Sequence, residues 1–163
     1  MGAINYYTSD YITLGVNIND LHDDIESEFD DEYTRDYYIS DYINDLYDDI
    51  DNVLKGENFY YFHLQLNPGY YEGFSIDIEF NFGYCLDSWE DRRHAQKEIT
   101  RIKAFLLKCI NDFGLCAVSP GWCTAYYEYA ATLDKLNNAI KEMRATVQNT
   151  PTWAQVLREE KTA

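Results

Sequence analysis

Residues 20–51 read DLHDDIESEFDDEYTRDYYISDYINDLYDDID, with 14 acidic residues in 32 and a single basic one, Arg35. An acidic block of this length ordinarily marks a solvated, disordered tail. The apolar residues say otherwise. Ile39, Ile43, Leu46, Ile50 and Val53 are spaced by four, three, four and three residues, which is one face of an α-helix. Asp41, Asp45, Asp48 and Asp49 fall largely on the opposite side, because two residues past Ile39 is about 200° round the helix. Leu21, Ile25, Phe29 and Tyr33 extend a helical stripe upstream, each four residues from the next. Asp20 or Asn19 suits the start as a cap, since a short polar side chain accepts the free first-turn N–H groups. A break or bend is expected between Tyr33 and Tyr38. The acidic helical segment is thus placed at 18–55, with Gly56 as its stop.

Nothing local favours such a helix. Like charges one turn apart repel by a few tenths of a kcal/mol per pair, and Asp is a poor helix former. Either tertiary packing holds the segment, or the charge itself is useful. If residues 20–51 were helical throughout, they would span about 48 Å. Fourteen carboxylates on that length give roughly one per 3.4 Å, the axial spacing of phosphates along one DNA strand. Ordinary soluble surfaces mix both signs.

The charge divides the chain. Of 163 residues with net charge −16, residues 1–91 carry 22 acids and two basic residues, Arg35 and Lys55. Residues 92–163 carry 11 basic and 7 acidic residues. The length suits one domain, 1–163. Hydrophobic residues make up 46% and aromatics 17%, enough for a core and unlike a disordered chain. No apolar run reaches the roughly 18 residues of a membrane span. The start, MGAINYYTSDY, has neither a basic nor an apolar leader region. Met1-Gly2 is followed by Tyr6 where a myristoylation signal wants Ser or Thr. The net charge disfavours direct binding to nucleic acid; no membrane partner and a cytoplasmic protein are expected.

Outward from the acidic segment, residues 4–16 read as strand or hairpin. Phe59–Leu66 reads as a strand and Asn67-Pro68-Gly69 as a turn. Phe74, Ile76, Ile78, Phe80 and Phe82 alternate with Ser75, Asp77, Glu79 and Asn81, the pattern of a half-buried antiparallel strand. Residues 59–82 therefore form a hairpin. A basic helix follows at 88–113, opened by Ser88-Trp89-Glu90-Asp91. Ile99, Ile102, Phe105, Leu106, Cys109, Ile110 and Phe113 make its apolar face, and Gly114 ends it. Leu115–Tyr129 reads as strand material interrupted by Ser119-Pro120-Gly121. Helices occupy 132–160: one carries Leu133, Leu136, Ile140, Met143 and Val147, and a short last one has Thr150 as cap and Pro151 in its first turn. The fold class is α+β, an antiparallel sheet of about four strands with helices mainly on one face. The order of the first six elements fits a ferredoxin-like βαββαβ unit, with C-terminal helices added.

Enzymatic motifs are absent: there is no GxGxxG, P-loop, HExxH or GxSxG. The acidic stretch lacks the Gly and the terminal Glu of an EF-hand loop. Cys85, Cys109, Cys116 and Cys123 form no CxxC pair, and His22, His63 and His94 are scattered, so no metal site and no cofactor are expected. The cysteines read as reduced, partly buried thiols, with a Cys116–Cys123 pair across a turn left open. Asp77 and Glu79 on one strand face read as a solvated face rather than as an acid–base pair. His63-Leu64-Gln65 is single and lacks the hydroxyl of a two-histidine phosphoesterase. Cys123 after Gly121-Trp122 has no local histidine partner. An enzyme with a site near His63, Asp77, Glu79 or Cys123 is the least favoured reading. Arg92, Arg93, Lys97, Arg101, Lys103 and Lys108 read as a solvated helix face or as counterions for the acidic half.

Sixteen tyrosines, many among the acids, suit an interface, because Tyr offers rigid contact area with a polar tip. Tyr38 and Tyr42, one turn apart, are the aromatic candidates. Asp23, Asp24, Glu28, Asp30, Asp31, Asp36, Asp41, Asp45, Asp48 and Asp49 are the acidic ones. In size, acidity and make-up the chain, through residues 20–51, resembles the DNA-mimic anti-restriction and anti-CRISPR proteins of phages and mobile elements. The resemblance implies a stoichiometric inhibitor, often dimeric, without cofactor or catalysis, working in the cytoplasm of a bacterial host. Its acids would fill the basic groove of a restriction enzyme or CRISPR nuclease and release the groove's counterions. The chief alternative is an antitoxin-like or regulatory module that neutralises another basic protein.

Overall fold

The computed structural model describes residues 11–16, 32–68, 74–80, 89–118 and 127–162. The protein is α+β. Its elements are β1 (Leu14–Gly15), α1 (Glu32–Gly56), β2 (Phe62–Pro68), β3 (Phe74–Phe80), α2 (Trp89–Asn111), β4 (Cys116–Ala117), α3 (Tyr129–Asn149) and α4 (Trp153–Thr162).

Helix α1 forms on the stripe its sequence sets out. Ile43, Leu46 and Ile50 are buried and Val53 and Leu54 pack partly against the same core. The helix runs through residues 33–38 without interruption, which corrects the break expected there. The upstream stripe at 21–31, with its Asp20 or Asn19 cap, lies outside the described residues. Magnitudes explain why an acidic helix holds. Burying three aliphatic side chains contributes roughly 6 kcal/mol, whereas each like-charge pair one turn apart costs about 0.2–0.5 kcal/mol. Tertiary packing wins.

The sheet is in substance the β2–β3 hairpin. Its antiparallel register pairs Phe62 with Phe80, Leu64 with Ile78 and Leu66 with Ile76, and in alternation His63 with Glu79 and Gln65 with Asp77. Apolar residues are thus register partners of apolar residues, as period-2 patterning requires. The two-residue segments β1 and β4 extend it antiparallel, in the order β2-β3-β1-β4. Two boundaries differ from the sequence reading. β2 starts at Phe62 rather than Phe59, because the Tyr61 N–H donates to Glu98 Oε2 at 2.7 Å instead of to a neighbouring strand. It also continues through Asn67 and Pro68, which pair with Ser75 and Phe74. An edge strand tolerates the proline, which corrects the turn expected at Asn67-Pro68-Gly69 for its first two residues; residues 69–73 lie outside the described chain. Most of the strand expected at 4–16 and the segment 119–126 also lie outside it.

Helix α2 buries Ile99, Ile102, Phe105, Leu106, Cys109 and Ile110. It ends where expected: Gly114 adopts φ +69°, and the Leu115 N–H reaches back to the Cys109 carbonyl at 3.1 Å, closing the helix end. Helix α3 begins at Tyr129, three residues before the expected Thr132. Thr132 is fully buried and ties β4 to α3, its Oγ1 accepting from Ala117 N at 3.0 Å and donating to Tyr127 O at 3.1 Å. Helices α2 and α3 pack antiparallel. Gln96 and Arg144 exchange three hydrogen bonds, and Tyr129 Oη donates to Asn111 Oδ1 at 2.8 Å.

The last helix corrects its expected cap. Thr150 closes α3, donating to Thr146 O at 2.6 Å. The cap of α4 is Thr152: its Oγ1 accepts from Gln155 N at 3.3 Å, while Gln155 Oε1 accepts from Thr152 N at 2.8 Å. This reciprocal pair is a capping box, in which Gln three residues after the Thr satisfies the second orphan donor. One core, built from Leu14, Ile50, Phe62, Ile99, Leu106, Leu136 and Met143 among others, joins the sheet segments to α1, α2 and α3.

Candidate functional site

The buried stripe of α1 fixes the helix's rotation, and so decides what the other side shows. Asp41, Asp45, Asp48 and Asp49 are all exposed. Tyr38 and Tyr42 are 46% and 44% exposed. At 100° per residue these six occupy a sector about 120° wide, and from Tyr38 to Asp49 they span about 16 Å of helix. Asp45 sits at the centre, with Asp41, Asp48 and Asp49 each three or four residues away. Tyr37, 69% exposed, stands at the margin, and its place one turn before Asp41 is the signal for it in the sequence.

The surface keeps its charge. Among the described residues no ion pair neutralises Asp41, Asp45, Asp48 or Asp49. Lys55, at the end of the helix, is taken by Asp51 at 2.9 Å, an i,i+4 pair in the favourable orientation. The hydrogen bond to Asp51, first, and its charge hold the Lys55 ammonium above its ordinary pKa. Of the other acidic candidates, Asp36 lies in the first two turns of α1. Asp23, Asp24, Glu28, Asp30 and Asp31 lie outside the described residues.

Among the described residues no cation of the basic helix forms an ion pair with this face, although one pairs with the acidic half just beyond it. Arg93, Lys97 and Lys108 of α2 are exposed, and Lys103 is half-buried. Arg101 reaches Glu57, just past α1, at 2.9 Å and lies 5.1 Å over the Phe59 ring. Arg92 is a correction: it is 7% exposed and not part of a solvated face. Its guanidinium donates to the Thr150 carbonyl at 2.7 Å and to Gln155 Oε1 at 3.3 Å, and rests 4.3 Å from the Trp89 ring centre. A cation at the carbonyl end of α3 is favoured by the helix dipole. Arg92 heads the buried α2 stripe that continues through Ala95, Ile99, Ile102 and Leu106.

Glu98 also lies on that buried side, 4% exposed. Oε2 accepts from the Tyr61 N–H, and Oε1 has no hydrogen-bond partner. Burial, the first cause, pushes its carboxyl above the usual range, against the N–H groups around Tyr61. Tyr61 Oη donates to Asp91 Oδ1 at 2.7 Å, and burial with that hydrogen bond raises its phenol. This group pins the start of β2 to α2.

Of the residues weighed for chemistry, the β2–β3 register brings His63, Glu79 and Asp77 onto neighbouring positions. His63 is exposed and pairs in register with Glu79; Asp77 lies two residues along, opposite Gln65. Burial pushes the Cys109 thiol up to about 12, so it is a core residue rather than a reactive thiolate. Cys85 and Cys123 lie outside the described residues, and with Cys123 the question of a pair to Cys116. Among the described residues no helix is long and apolar enough to cross a membrane. No family, curated protein or solved structure matches the chain.

Proposed function

We propose that this protein is a stoichiometric inhibitor whose α1 face mimics the charge of DNA and blocks the DNA-binding groove of a host defence nuclease, a CRISPR effector or a restriction enzyme. One observation carries the reading: four exposed aspartates, none in an ion pair among the described residues, and two half-exposed tyrosines share one sector of a single helix whose far side is locked into the core. A rigid acidic row suits a groove lined by Lys and Arg, since filling it releases counterions as DNA does. The tyrosine rings add contact area and a face for arginine. The work requires no cofactor and no catalysis, and it places the protein in the cytoplasm of a bacterial cell carrying a phage or mobile element. The same reading treats β1–α1–β2–β3–α2–β4 as a ferredoxin-like unit of four strands. The strand order β2-β3-β1-β4, antiparallel at each step, supports that.

The test is competition. Labelled DNA is bound to a panel of restriction enzymes and CRISPR nuclease complexes at two salt concentrations, and the purified protein is added. Loss of DNA binding that weakens at the higher salt is expected for at least one target. If no target is affected, the mimic reading fails and the neutralising module for another basic protein takes its place.

A further inference from the structure

Helix α2 shows solvent the opposite charge to α1. Between Glu90 and Asp91 in its first turn and Asp112 just past its end, its one acid is Glu98, which is buried. Arg93, Lys97, Arg101 and Lys108 are all exposed. At 100° per residue they share a sector about 80° wide, and they span about 22 Å of helix. The exposed positions between Lys97 and Lys108 are otherwise Thr100 and Ala104. Helix α3 adds a cation at the border of this row. The Arg144 guanidinium is held against α2 by the Gln96 carbonyl and side chain, at 3.2 and 3.1 Å, and by Thr100 Oγ1 at 3.0 Å. Arg101 is engaged by Glu57; among the described residues Arg93, Lys97 and Lys108 form no ion pair.

We propose that this row is a binding surface for the phosphate backbone of duplex DNA. The net charge of −16 disfavours nucleic acid when charge is spread over a molecule, and here it is segregated. Asp45, the centre of the acidic sector, lies about 16 Å along α1 from the end where Glu57 meets Arg101. That is about two screening lengths at physiological salt. The make-up of the row selects its occupant. A protein partner is anchored by aromatic and apolar side chains at the centre of a patch, and this row offers only Ala104 there. Surfaces that contact DNA are instead polar and strongly positive, with Arg, Lys and Thr on the phosphates. A single strand is gripped by successive aromatic side chains on which its bases stack; the row has one, Trp89, at its end. The major groove of A-form RNA is too narrow to read, whereas that of B-form DNA admits a helix. Because α2 exposes only part of its circumference, its cations reach the phosphates that flank the groove and not the bases. The inference rests on α2 and does not depend on the reading of α1.

The experiment is fluorescence anisotropy of a labelled DNA duplex of about 20 base pairs, titrated with the full chain in 0.1 M and in 0.3 M NaCl. Binding is expected at about 1–100 μM in the lower salt. Three phosphates held by Arg93, Lys97 and Lys108 give a slope of about −2.7 in log affinity against log salt, so affinity should fall roughly 20-fold at the higher salt. Arg93→Ala, Lys97→Ala and Lys108→Ala together are expected to weaken binding at least tenfold and to flatten the salt dependence, with the far-ultraviolet circular dichroism unchanged. Replacing Asp41, Asp45, Asp48 and Asp49 by Asn is expected to leave binding as tight or tighter. No binding by the native chain overturns the proposal, as does binding that the triple α2 variant retains in full. Tighter binding of an RNA duplex or a DNA single strand of the same length also overturns it. The triple variant no longer holds free DNA, so its use in the nuclease competition separates failure of this inference from failure of the α1 reading.

Discussion

Replacing Asp41, Asp45, Asp48 and Asp49 together by Asn should make the protein more stable. All four are exposed on α1, and Asn and Asp have nearly equal helix propensity, so the change acts through charge. The pairs three or four residues apart are 41–45, 45–48, 45–49 and 48–51. Each repels by about 0.2–0.5 kcal/mol at low ionic strength, and the four together cost about 1 kcal/mol. For a chain of this size that corresponds to a rise in Tm of about 2–4 °C. Asp45→Asn alone relieves three of the four pairs and should give most of the gain. The assay is thermal unfolding in 10 mM and in 1 M NaCl. At the higher salt the screening length falls to about 3 Å, and the advantage should vanish. Equal stability at low salt, or a gain that survives 1 M NaCl, would refute the reasoning that this face is held against its own repulsion. The same variant links stability to function. If the row is the contact surface, binding to the basic target should fall by one to three orders of magnitude, since each exposed pair contributes about 0.2–1 kcal/mol. A variant that binds as tightly as the native chain would remove α1 from the interface.

Two further expectations concern the scaffold. Because burial raises the Glu98 carboxyl, its contribution to stability is complete below the ordinary carboxylate pKa and is lost as pH rises through the higher folded value. The difference in unfolding free energy between native protein and Glu98→Gln should therefore shift against the native chain on going from pH 4 toward neutrality, by at most about 1.4 kcal/mol per pH unit; a pH-independent difference in denaturant titrations would contradict it. Thr152→Ala removes the hydroxyl half of the α4 capping box and should cost about 1 kcal/mol, read locally as faster amide exchange at Gln155, with the amides of α2 unchanged.

Much of this architecture follows from periodicity alone. The stripe from Ile43 to Val53, the alternation from Phe74 to Phe80 and the run from Ile99 to Ile110 each place apolar residues at the repeat of their element, and in the two helices burial follows that repeat. The acidic sector is legible for the same reason, because a helix with one apolar face has its other face assigned. Helix ends at Gly56 and Gly114 are legible as well, glycine being the residue that most readily leaves the helical conformation. What sequence spacing misplaced are groups whose partners come from distant elements. The N–H of Tyr61 is withdrawn from the strand by Glu98, 37 residues away. Arg92 leaves the solvated face for the end of α3, 58 residues on. The cap of α4 is Thr152 because Thr150 is already engaged by α3. By itself the sequence determined which faces are apolar and where charge accumulates, since both are properties of local repeat. Only the tertiary structure decided which polar groups are buried and which aromatic residues stay in water, since those depend on what another part of the chain brings alongside.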